Sequence, residues 1–563
     1  MQQIKKEIIK LLLEHIKLKK EEIESLIEVP PDPALGDLSF PCFTLSKIYK
    51  KNPAEISNEI FSNIIKQKNQ FIEKIEVKGP YINFFIKKEK LAQIVIKQIR
   101  KQRNNYGRNN TGKKQKVMVE FSQPNTHKGF HIGHLRNTCL GDSLVKILRF
   151  SNYNVIAANY PGDIGAHVAK CLWLYLKFYK NKEPKTSKGI WLGQLYANAT
   201  KLLEQDESYK QEYEELLKKL YNRDKEIIKA WKKTRSWSLD EFKKIYKELN
   251  VNFNIWFFES QLEEEGKKYA QELLKEDIAK ESDNAIIFDL KQYNLGVLII
   301  LRSNQTPLYS TKDLVLAARK FNKYKIEKSV YVVASEQKFY FQQLFKALEI
   351  IGFKNAGNCF HLSYELVMLK EGKMSSREGN VILYEDLMER ALKKEKEELN
   401  KRRVKINNET KAKIIALAAL KYSMLNIDSN KTIIFDWDKA LSFEGDSGPY
   451  LLYTYARISS ILRKASINSK IKSTLTQDLE HQIIKKLSEF PEQIVKAATE
   501  YKPNVIANYI YELAQLTNEY YHKFPILKEK AAIKNSRLLL INSIKQVMLN
   551  SFNILNIKPL EKM

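Results

Sequence analysis

The sequence has few cysteines and no long apolar run, and each shortage excludes a class of protein. Only 4 cysteines occur among 563 residues, and none lie at the short spacing that a zinc site or a redox motif requires. We therefore expect a reduced, cytoplasmic protein with no tightly bound metal. No stretch is apolar for long enough to span a bilayer, so no membrane association is expected. Near the N-terminus, Ile4, Ile8, Leu12 and Ile16 recur at helical spacing, which predicts an amphipathic helix rather than a signal peptide.

Acidic residues are also in short supply. There are 66 of them against 95 basic residues, which gives a formal net charge of +29. An excess of this size attracts polyanions through long-range steering and counterion release, which points to a nucleic acid. A biased codon supply that enriched Lys everywhere would produce the same excess, so charge alone leaves both interpretations open. Hydrophobic residues make up 44% of the chain, which is enough for packed cores in two to four domains.

The composition changes twice along the chain and divides it into three predicted domains. Residues 1–105 mix helical and strand patterns, and the polar, basic run over 101–116 is typical of a linker, with a boundary near Tyr106. Residues 106–384 alternate strands and helices, and a Lys- and Glu-rich stretch over about 169–280 predicts a helical insertion. Residues 385–563 have an almost wholly helical pattern.

The second domain begins with the pattern of a nucleotide-binding α/β unit. Val117–Phe121 predicts a strand, a loop leads to Gly133, a helix fits 135–152 and a second strand fits 155–159. In such units the ligand lies beyond the carboxyl ends of the parallel strands. Three later strand patterns continue the α/β alternation, at 285–290, 297–301 and 330–334.

One motif, His131, Ile132, Gly133 and His134, lies where that loop enters the helix. The glycine lets a nucleotide approach the backbone, the helix N-terminus favours anions, and the imidazoles can donate hydrogen bonds to α-phosphate oxygens. The motif therefore suits ATP. Histidines at a helix start can also simply cap the helix, and this alternative stays open. Metal chelation by His127 with the other two histidines is disfavoured, because the spacing is not that of the zinc-protease helix and two glycines interrupt any single helix.

A second motif, Lys373, Met374, Ser375, Ser376 and Arg377, lies far downstream between two glycines. It places a cation and two hydroxyls on a flexible loop that can close over a triphosphate and stabilise the departing pyrophosphate. Taken alone, the motif is equally typical of a surface turn. Two such motifs in this order indicate an enzyme that uses ATP to activate a carboxylic acid as its adenylate.

Together the motifs resemble the HIGH and KMSKS-like signatures of the class I aminoacyl-tRNA synthetases. The first signature is matched in full, whereas Ser376 stands where a second lysine is usual. That departure is typical of arginyl-tRNA synthetases, in which a lysine just before HIGH, here Lys128, substitutes for the missing charge. The similarity to this family extends along nearly the whole chain, through 30–43, 81–85, 119–140, 308–313, 332–337, 443–457 and 560–563.

This resemblance implies a fold and a reaction. The expected fold is an α/β catalytic domain with a Rossmann-like parallel sheet and a helical insertion, between an α+β N-terminal tRNA-binding domain and an all-α C-terminal anticodon-binding domain. The implied reaction attaches L-arginine to tRNA(Arg) through an arginyl-adenylate, with Mg²⁺ accompanying the ATP. A monomer is expected, and the activation step is expected to require bound tRNA.

The resemblance also assigns roles to individual residues. Catalysis is expected of His131, His134, Lys373 and Lys128. ATP binding is expected of His131, Ile132, Gly133, His134, Lys373, Met374, Ser375, Ser376 and Arg377. Arginine binding is expected of Glu120, Asn125, His131, Tyr309, Asp313 and Gln337. Contacts with tRNA are expected of Asn83, Phe85, Tyr450, Tyr453 and Arg457.

Some of these assignments have structural alternatives. A guanidinium needs planar carboxylates that accept paired hydrogen bonds, which Glu120 and Asp313 can supply. Asp313 can alternatively cap a helix over 314–318, and the aromatic residues near 450 can simply pack a helix. Two rival functions are a related adenylate-forming enzyme of different specificity and an inactive relative that only binds RNA. The intact histidines and Lys373 argue against the second rival.

Overall fold

The structure is a computed structural model that describes residues 2–67, 69–180, 182–185, 187–370, 382–401, 408–468 and 474–563. The predicted loop of Lys373, Met374, Ser375, Ser376 and Arg377 lies outside these residues. The described residues form an α+β unit, a unit built on a parallel sheet and a helical unit, in the order that the sequence predicts.

The N-terminal unit packs helices against a three-stranded antiparallel sheet of order β1-β3-β2. Its helices are α1 (Gln2–Leu13), α2 (Lys20–Leu26), α3 (Phe43–Tyr49), α4 (Pro53–Ile64) and α5 (Lys88–Gln102), and its strands are β1 (Leu38–Pro41), β2 (Ile72–Lys78) and β3 (Tyr81–Ile86). The predicted amphipathic helix is confirmed as α1, because Ile4, Ile8 and Leu12 are fully buried. Gly79 turns the β2–β3 hairpin with a φ of +59°, which a residue without a Cβ adopts freely.

The middle unit contains a five-stranded parallel sheet of order β11-β10-β4-β5-β6. The strands of this unit are β4 (Lys116–Glu120), β5 (Asn154–Asn159), β6 (Ile255–Trp256), β7 (Lys280–Ser282), β8 (Ala285–Asp289), β9 (Val297–Leu301), β10 (Lys328–Ala334), β11 (Cys359–Tyr364) and β12 (Val367–Leu369). Its helices are α6 (Ile132–Phe150), α7 (Ala166–Tyr179), α8 (Lys188–Gln205), α9 (Ser208–Tyr221), α10 (Lys225–Glu248), α11 (Glu263–Lys275), α12 (Tyr309–Tyr324) and α13 (Lys338–Ile350). The predicted strand–loop–helix–strand opening is confirmed as β4, α6 and β5.

Two details of this unit differ from the sequence-based prediction. Strand β6 lies inside 169–280, which was expected to be helical throughout, and it extends the parallel sheet beside β5. Its two residues are too few to give a strand pattern. Strands β8 and β9, expected to continue the α/β alternation, instead form a separate antiparallel sheet with β7. Apolar runs of this length do not specify which sheet they join.

The C-terminal unit is helical apart from one short strand. Its elements are α14 (Tyr384–Lys401), α15 (Asn408–Leu425), β13 (Ile433–Phe435), α16 (Trp437–Ala440), α17 (Gly448–Arg463), α18 (Asp478–Glu500), α19 (Asn504–Lys523) and α20 (Ala531–Leu555). Strand β13 pairs in parallel with β12 and so joins this unit to the middle one. Helix α20 is long and apolar enough to cross a membrane, but 72% of its apolar window is buried. It packs against α17 and α19 as a core helix.

The run over 101–116, expected to be a linker, is docked on the C-terminal helices. The Tyr106 hydroxyl donates to the Leu487 carbonyl of α18 at 2.9 Å, and the Tyr106 ring stacks on Phe490. The Asn550 amide of α20 donates to the carbonyls of Arg103 and Tyr106. Ion pairs between Lys5 and Glu492 and between Lys88 and Asp478 add to this contact. The N-terminal and C-terminal units are thereby joined directly.

Candidate active site

A cavity of about 940 Å³ opens at the carboxyl ends of β4, β5 and β10. Helix α8 of the insertion forms one wall, and residues at the start of the helical unit form another. The structure brings together in this lining most of the residues singled out from the sequence, namely Glu120, Asn125, Lys128, His131, Gly133, His134, Tyr309, Asp313 and Gln337. Ile132 is fully buried and faces the core instead, and Lys373–Arg377 lie outside the described residues.

The loop between β4 and α6 has an unusual backbone. Ser122, Gln123 and His127 have φ values of +77°, +44° and +62°, a region that costs residues with a Cβ free energy unless their surroundings hold them. Asn137 of α6 holds this loop, since its side-chain oxygen accepts from the Ser122 N–H at 2.6 Å. The Asn137 amide donates to the Val332 carbonyl of β10 at 2.9 Å. These bonds fix the loop against two elements of the sheet domain.

His131 and His134 do cap α6, and the capping fixes how their rings face the cavity. Nδ1 of His131 accepts from the Gly133 N–H at 3.1 Å, and Nδ1 of His134 accepts from the His131 N–H at 3.2 Å. A neutral imidazole that accepts at Nδ1 carries its proton on Nε2. Each ring therefore has an Nε2–H donor available for a ligand. Capping and nucleotide binding are thus compatible roles for the same side chains.

Both imidazoles are neutral at physiological pH. Burial, with Lys128 nearby, lowers the pKa of His131 to about 4. Burial and the neighbouring His131 hold the pKa of His134 well below its usual value. The two rings lie only 3.7 Å apart between centroids, a distance that disfavours two positive charges. They can act on a phosphate as hydrogen-bond donors without carrying charge.

His127 takes no part in this pair. Its two ring nitrogens lie 3.0 Å from the Thr126 hydroxyl and 2.8 Å from the Thr234 hydroxyl, and the residue is fully buried. Both nitrogens are therefore occupied. Within the described ranges, no group of three His, Cys, Asp or Glu side chains is arranged to hold a metal ion.

Lys128 reaches the cavity across the insertion helix α8. Its Nζ lies 4.6 Å from the centroid of the Tyr196 ring, which is the distance of a cation–π contact. A Cβ at Gly193 of α8 would lie 2.9 Å from the Gly129 nitrogen. Only a glycine lets α8 pack this closely against the loop that carries Lys128. The insertion therefore helps to position this lysine.

Glu120 stands at the end of β4 and is buried with its own cation. One carboxylate oxygen lies 2.6 Å from Nζ of Lys320, whose side chain is fully buried on α12. The other oxygen accepts from the Gln123 amide at 2.9 Å. The sequence suggested that Glu120 binds guanidinium directly. In the structure one of its oxygens forms an ion pair with Lys320 and the other accepts a hydrogen bond from Gln123.

Among the residues that the structure describes, Asp313 has no ion-pair partner of its own. Helix α12 begins at Tyr309, four residues earlier, so the alternative that Asp313 caps a helix is wrong. Its carboxylate accepts from the Tyr340 hydroxyl at 2.5 Å, and the Tyr309 ring packs edge-on against Tyr340. Burial, together with the carboxylates of Glu120 and Glu259, raises the pKa of Asp313 to about 7.

Several cavity residues carried no signal in the sequence. Glu259 follows β6, lines the cavity and pairs with Lys312. Tyr160 and Tyr340 line the same end of the cavity. Glu259, Tyr160 and Tyr340 belong to separate segments that come together only in the folded protein. A single sequence does not indicate such tertiary contacts. Lys320 lies four residues before the end of α12, and lysine is more often exposed than buried.

Arg136, on the second turn of α6, ties this helix to the strand pair β12–β13. It is fully buried and donates to the carbonyls of Leu366, Ser429 and Lys431. On the other side, the Ile132 N–H donates to the Ile382 carbonyl and the Tyr384 N–H to the Phe130 carbonyl. The described residues on both sides of 371–381 are therefore bonded to the first turns of α6 or to the residues just before them.

The residues expected to contact tRNA fall into two different environments. Asn83 is buried in β3, and its side chain accepts from the Ser39 hydroxyl at 2.7 Å, so it supports the sheet. Phe85 is half-buried beneath Lys74. In the helical unit, Arg457 donates to Asn518 and to the Tyr453 hydroxyl. Its guanidinium also lies 4.6 Å from the ring centroid of Tyr521, a side chain that is 41% exposed.

Comparison with known proteins identifies all three units. The model of the class I (R) tRNA synthetase catalytic domain matches residues 95–437, that of the DALR anticodon binding domain matches 451–563, and that of the arginyl tRNA synthetase N terminal domain matches 1–86. The chain belongs to the arginyl-tRNA synthetases.

Individual members of this family are similar over their whole length. The arginine–tRNA ligase of Halothermothrix orenii is 37% identical over 99% of both chains, and that of Bdellovibrio bacteriovorus is 37% identical over 97% of this chain and 95% of its own. The solved arginyl-tRNA synthetase of Thermus thermophilus superposes with a TM-score of 0.83 at 25% identity and covers 100% of both chains. These relatives confirm the expected α/β catalytic domain flanked by an N-terminal and a helical anticodon-binding domain.

An arginyl-tRNA synthetase joins arginine to its tRNA at the expense of ATP. The rival hypothesis of a related adenylate-forming enzyme with another specificity is therefore wrong. In this synthetase the HIGH motif is the capped histidine pair at the start of α6. The carboxylates and tyrosines described above line the same cavity.

Proposed function

We propose that the cavity binds ATP beside the histidine pair and arginine beside Asp313, and that it charges tRNA(Arg) in two steps. The observation that carries this proposal is that one cavity contains both two neutral Nε2–H donors at a helix N-terminus and a buried carboxylate without its own cation. We assign residues 1–105 and 385–563 to tRNA binding and 106–384 to catalysis.

Arginine is proposed to bind with its guanidinium at the Asp313 end. Glu120 and Glu259 already have Lys320 and Lys312 as partners, whereas Asp313 is bonded to the Tyr340 phenol. A cationic side chain that enters this end gains a charge-assisted bond to Asp313. Tyr309 lies beside it, and Glu120 acts at longer range through its field. Asn125 and Gln337, which also line the cavity, are assigned to the α-amino and carboxylate groups.

ATP is proposed to bind with its α-phosphate at the N-terminus of α6. The helix dipole favours an anion there, and Nε2–H of His131 and of His134 can donate to the phosphate oxygens as charge builds up. Lys128 supplies a cation from the adjoining loop. From the sequence, Lys373, Met374, Ser375, Ser376 and Arg377 are assigned to the departing pyrophosphate. Mg²⁺, which accompanies ATP as part of the substrate, neutralises charge on the phosphates.

In the first step a carboxylate oxygen of arginine attacks the α-phosphorus of ATP, and pyrophosphate leaves. In the second step a ribose hydroxyl of the terminal adenosine attacks the carbonyl carbon of the adenylate, loses its proton, and AMP leaves. The protein supplies orientation and hydrogen bonds in both steps and forms no covalent bond with the substrate.

The proposal is tested by ATP–pyrophosphate exchange and by tRNA charging with purified protein. Exchange is measured with each of the common amino acids, with and without unfractionated tRNA. We expect exchange with arginine alone, and only when tRNA is present. Exchange with another amino acid would overturn the arginine assignment. Binding of tRNA without any exchange or charging would instead support the inactive RNA-binding relative.

Arginine binding is expected to weaken as the pH falls through 7. Asp313 must be ionised to pair with the guanidinium, and its pKa without arginine is about 7. Bound arginine lowers that pKa, so affinity is fully present above pH 7 and is lost below it. Between pH 8 and pH 6 the ionised fraction falls by about tenfold, and the dissociation constant rises by the same factor. Calorimetry in buffers of different ionisation heat should detect about one proton released at pH 6.

This pH dependence has an internal control. The pKa of His131 is about 4, and burial holds the pKa of His134 well below its usual value, so neither histidine titrates in this window. The pH dependence should therefore disappear in Asp313→Asn. An arginine affinity that stays constant from pH 6 to pH 8 in the unaltered protein would contradict the assignment.

We propose that the aromatic face of α17 binds anticodon nucleotides. Tyr450, Tyr453 and Arg457 are half-buried and lie on one face of this helix. The guanidinium of Arg457 lies 4.7 Å from the ring centroid of Tyr453 and 4.6 Å from that of Tyr521. A guanidinium and rings arranged in this way form a platform on which bases stack. This arrangement favours tRNA binding over simple helix packing.

Arg457→Ala is expected to weaken tRNA(Arg) binding by about tenfold, because losing a stacking partner costs about 1–3 kcal/mol per base. Binding is measured at one fixed salt concentration, since phosphate contacts vary with ionic strength. Arg463→Ala on the same helix is the control, because Arg463 donates to the Glu561 carbonyl outside the aromatic face. Equal losses in both variants would indicate a general charge effect instead of stacking.

We also propose that the protein is a monomer in the cytoplasm and makes no membrane contact. The family assignment and the buried position of α20 support this view. Light scattering of the purified protein should give the mass of one chain.

A further inference from the structure

Tyr160 has a hydroxyl group that the fold leaves without a partner. The residue follows β5 directly, and its side chain lines the cavity. Its hydroxyl oxygen is inaccessible to solvent and has no hydrogen-bond partner among the residues that the structure describes. A buried polar group without a partner costs free energy, so natural structures rarely retain one unless a ligand completes it.

The surroundings of this hydroxyl indicate what kind of ligand completes it. After burial, the charges that raise its pKa well above the usual value are those of Asp313, Glu259, Glu120 and Asp163. The phenol thus remains protonated and neutral near a group of carboxylates. Three of these four carboxylates form ion pairs: Glu259 with Lys312, Glu120 with Lys320, and Asp163 with Arg235.

The lining of this part of the cavity therefore includes acceptor groups. Asp313 offers a carboxylate, and the oxygen of Tyr160 offers lone pairs. A single ammonium group has three donors on one point charge, whereas a guanidinium has five N–H donors in a plane. The planar group can reach Asp313 with one edge while another N–H points to a second acceptor.

We propose that Tyr160 is a specificity-determining residue whose hydroxyl accepts a hydrogen bond from the guanidinium of arginine. The inference rests on the proposed function, because it presupposes arginine at the Asp313 end. Within that function it explains how an uncharged acceptor adds selectivity for a guanidinium over an ammonium group. The carboxylate attracts any cation, whereas the phenol oxygen stabilises only a ligand with a second N–H in the same plane.

The test is Tyr160→Phe, which removes one oxygen and keeps the ring. The KM for arginine is expected to rise at least about tenfold, since a lost bond to a charged donor has an effect of this size. The KM for ATP and the kcat at saturating arginine should change by less than about twofold. Agmatine, which has the guanidinium but no carboxylate, is used as a competitive inhibitor. Its inhibition constant should rise by the same factor as the KM for arginine.

The outcomes distinguish a failure of the proposed function from a failure of the role proposed for Tyr160. If the unaltered protein fails to activate arginine, the proposed function fails. If it activates arginine and Tyr160→Phe leaves the KM for arginine unchanged, only the role of Tyr160 fails. A raised KM for arginine with unchanged agmatine inhibition would place the contact at the α-amino acid end and would also overturn the proposal. Tyr175→Phe is the matched control, because Tyr175 is a fully buried tyrosine in the core of the insertion. It should leave both constants unchanged.

Discussion

His134→Asn is expected to lower the rate of tRNA-dependent arginine activation by about a hundredfold or more, the usual effect of removing one transition-state donor. The side-chain oxygen of asparagine takes the place of Nδ1 and can still accept from the His131 N–H, so the helix cap is retained. The donor at Nε2 has no counterpart in asparagine. The rate is measured by ATP–pyrophosphate exchange at saturating arginine and tRNA.

This substitution separates the two roles that the sequence left open for the histidine. His134→Gln is the complementary variant, because its amide reaches toward the Nε2 position but leaves the His131 N–H unpaired. We expect it to retain more activity than His134→Asn and to unfold at a lower temperature. If His134→Asn activates arginine at the original rate, the imidazole serves only as a cap.

The second large effect is expected for Asp313→Asn, which should lower kcat/KM for arginine by about a hundredfold to a thousandfold. Truncating a buried charge pair costs about 2–5 kcal/mol, and each 1.4 kcal/mol is about a factor of ten. The asparagine oxygen can still accept from the Tyr340 hydroxyl, so the local structure is preserved. The KM for ATP should remain unchanged, because ATP is assigned to the histidine pair at the start of α6.

Citrulline, a neutral isostere of arginine, gives this prediction its control. The unaltered protein should bind arginine far more tightly than citrulline, and Asp313→Asn should reduce that preference to a small factor. Tyr340→Phe keeps the carboxylate and should have a much smaller effect. An undiminished preference for arginine in Asp313→Asn would assign charge recognition to Glu120 or Glu259 instead.

What could be predicted from the sequence depends on how far apart the interacting residues lie. The HIGH turn is local, so its glycine, its histidines and its place after a strand indicated the fold and led to the proposal of an ATP site there. Asp313 was predicted to bind arginine and does line the cavity, but its helix was expected to start after it. The segment Tyr309–Lys312 does contain Ser310 and Thr311, residue types that favour helix starts, but the N-cap residue itself is Leu308, and the tertiary contact of Asp313 with Tyr340 was not visible in the sequence.

Contacts between residues that are far apart in the sequence could not be predicted. Glu120 and Lys320 are 200 positions apart, and no pattern indicates that a lysine within α12 is buried against β4. The same holds for Tyr160, which looks like an ordinary aromatic after a strand. Strand β6 was missed because its two residues form pairs only after the insertion has folded. Side-chain chemistry was therefore predictable, whereas the choice of partners was not.

The docked linker limits the shape of the tRNA that both outer domains can contact at once. Tyr106 and Asn550 bond the N-terminal domain to α18 and α20, so a movement of one outer domain relative to the other must break these hydrogen bonds. If Phe85 and Arg457 both touch tRNA, as proposed, the distance between those contacts is set by the protein. The enzyme then selects a nucleic acid whose two contact sites lie that distance apart, and only an L-shaped molecule of matching span can place its 3′ end in the cavity.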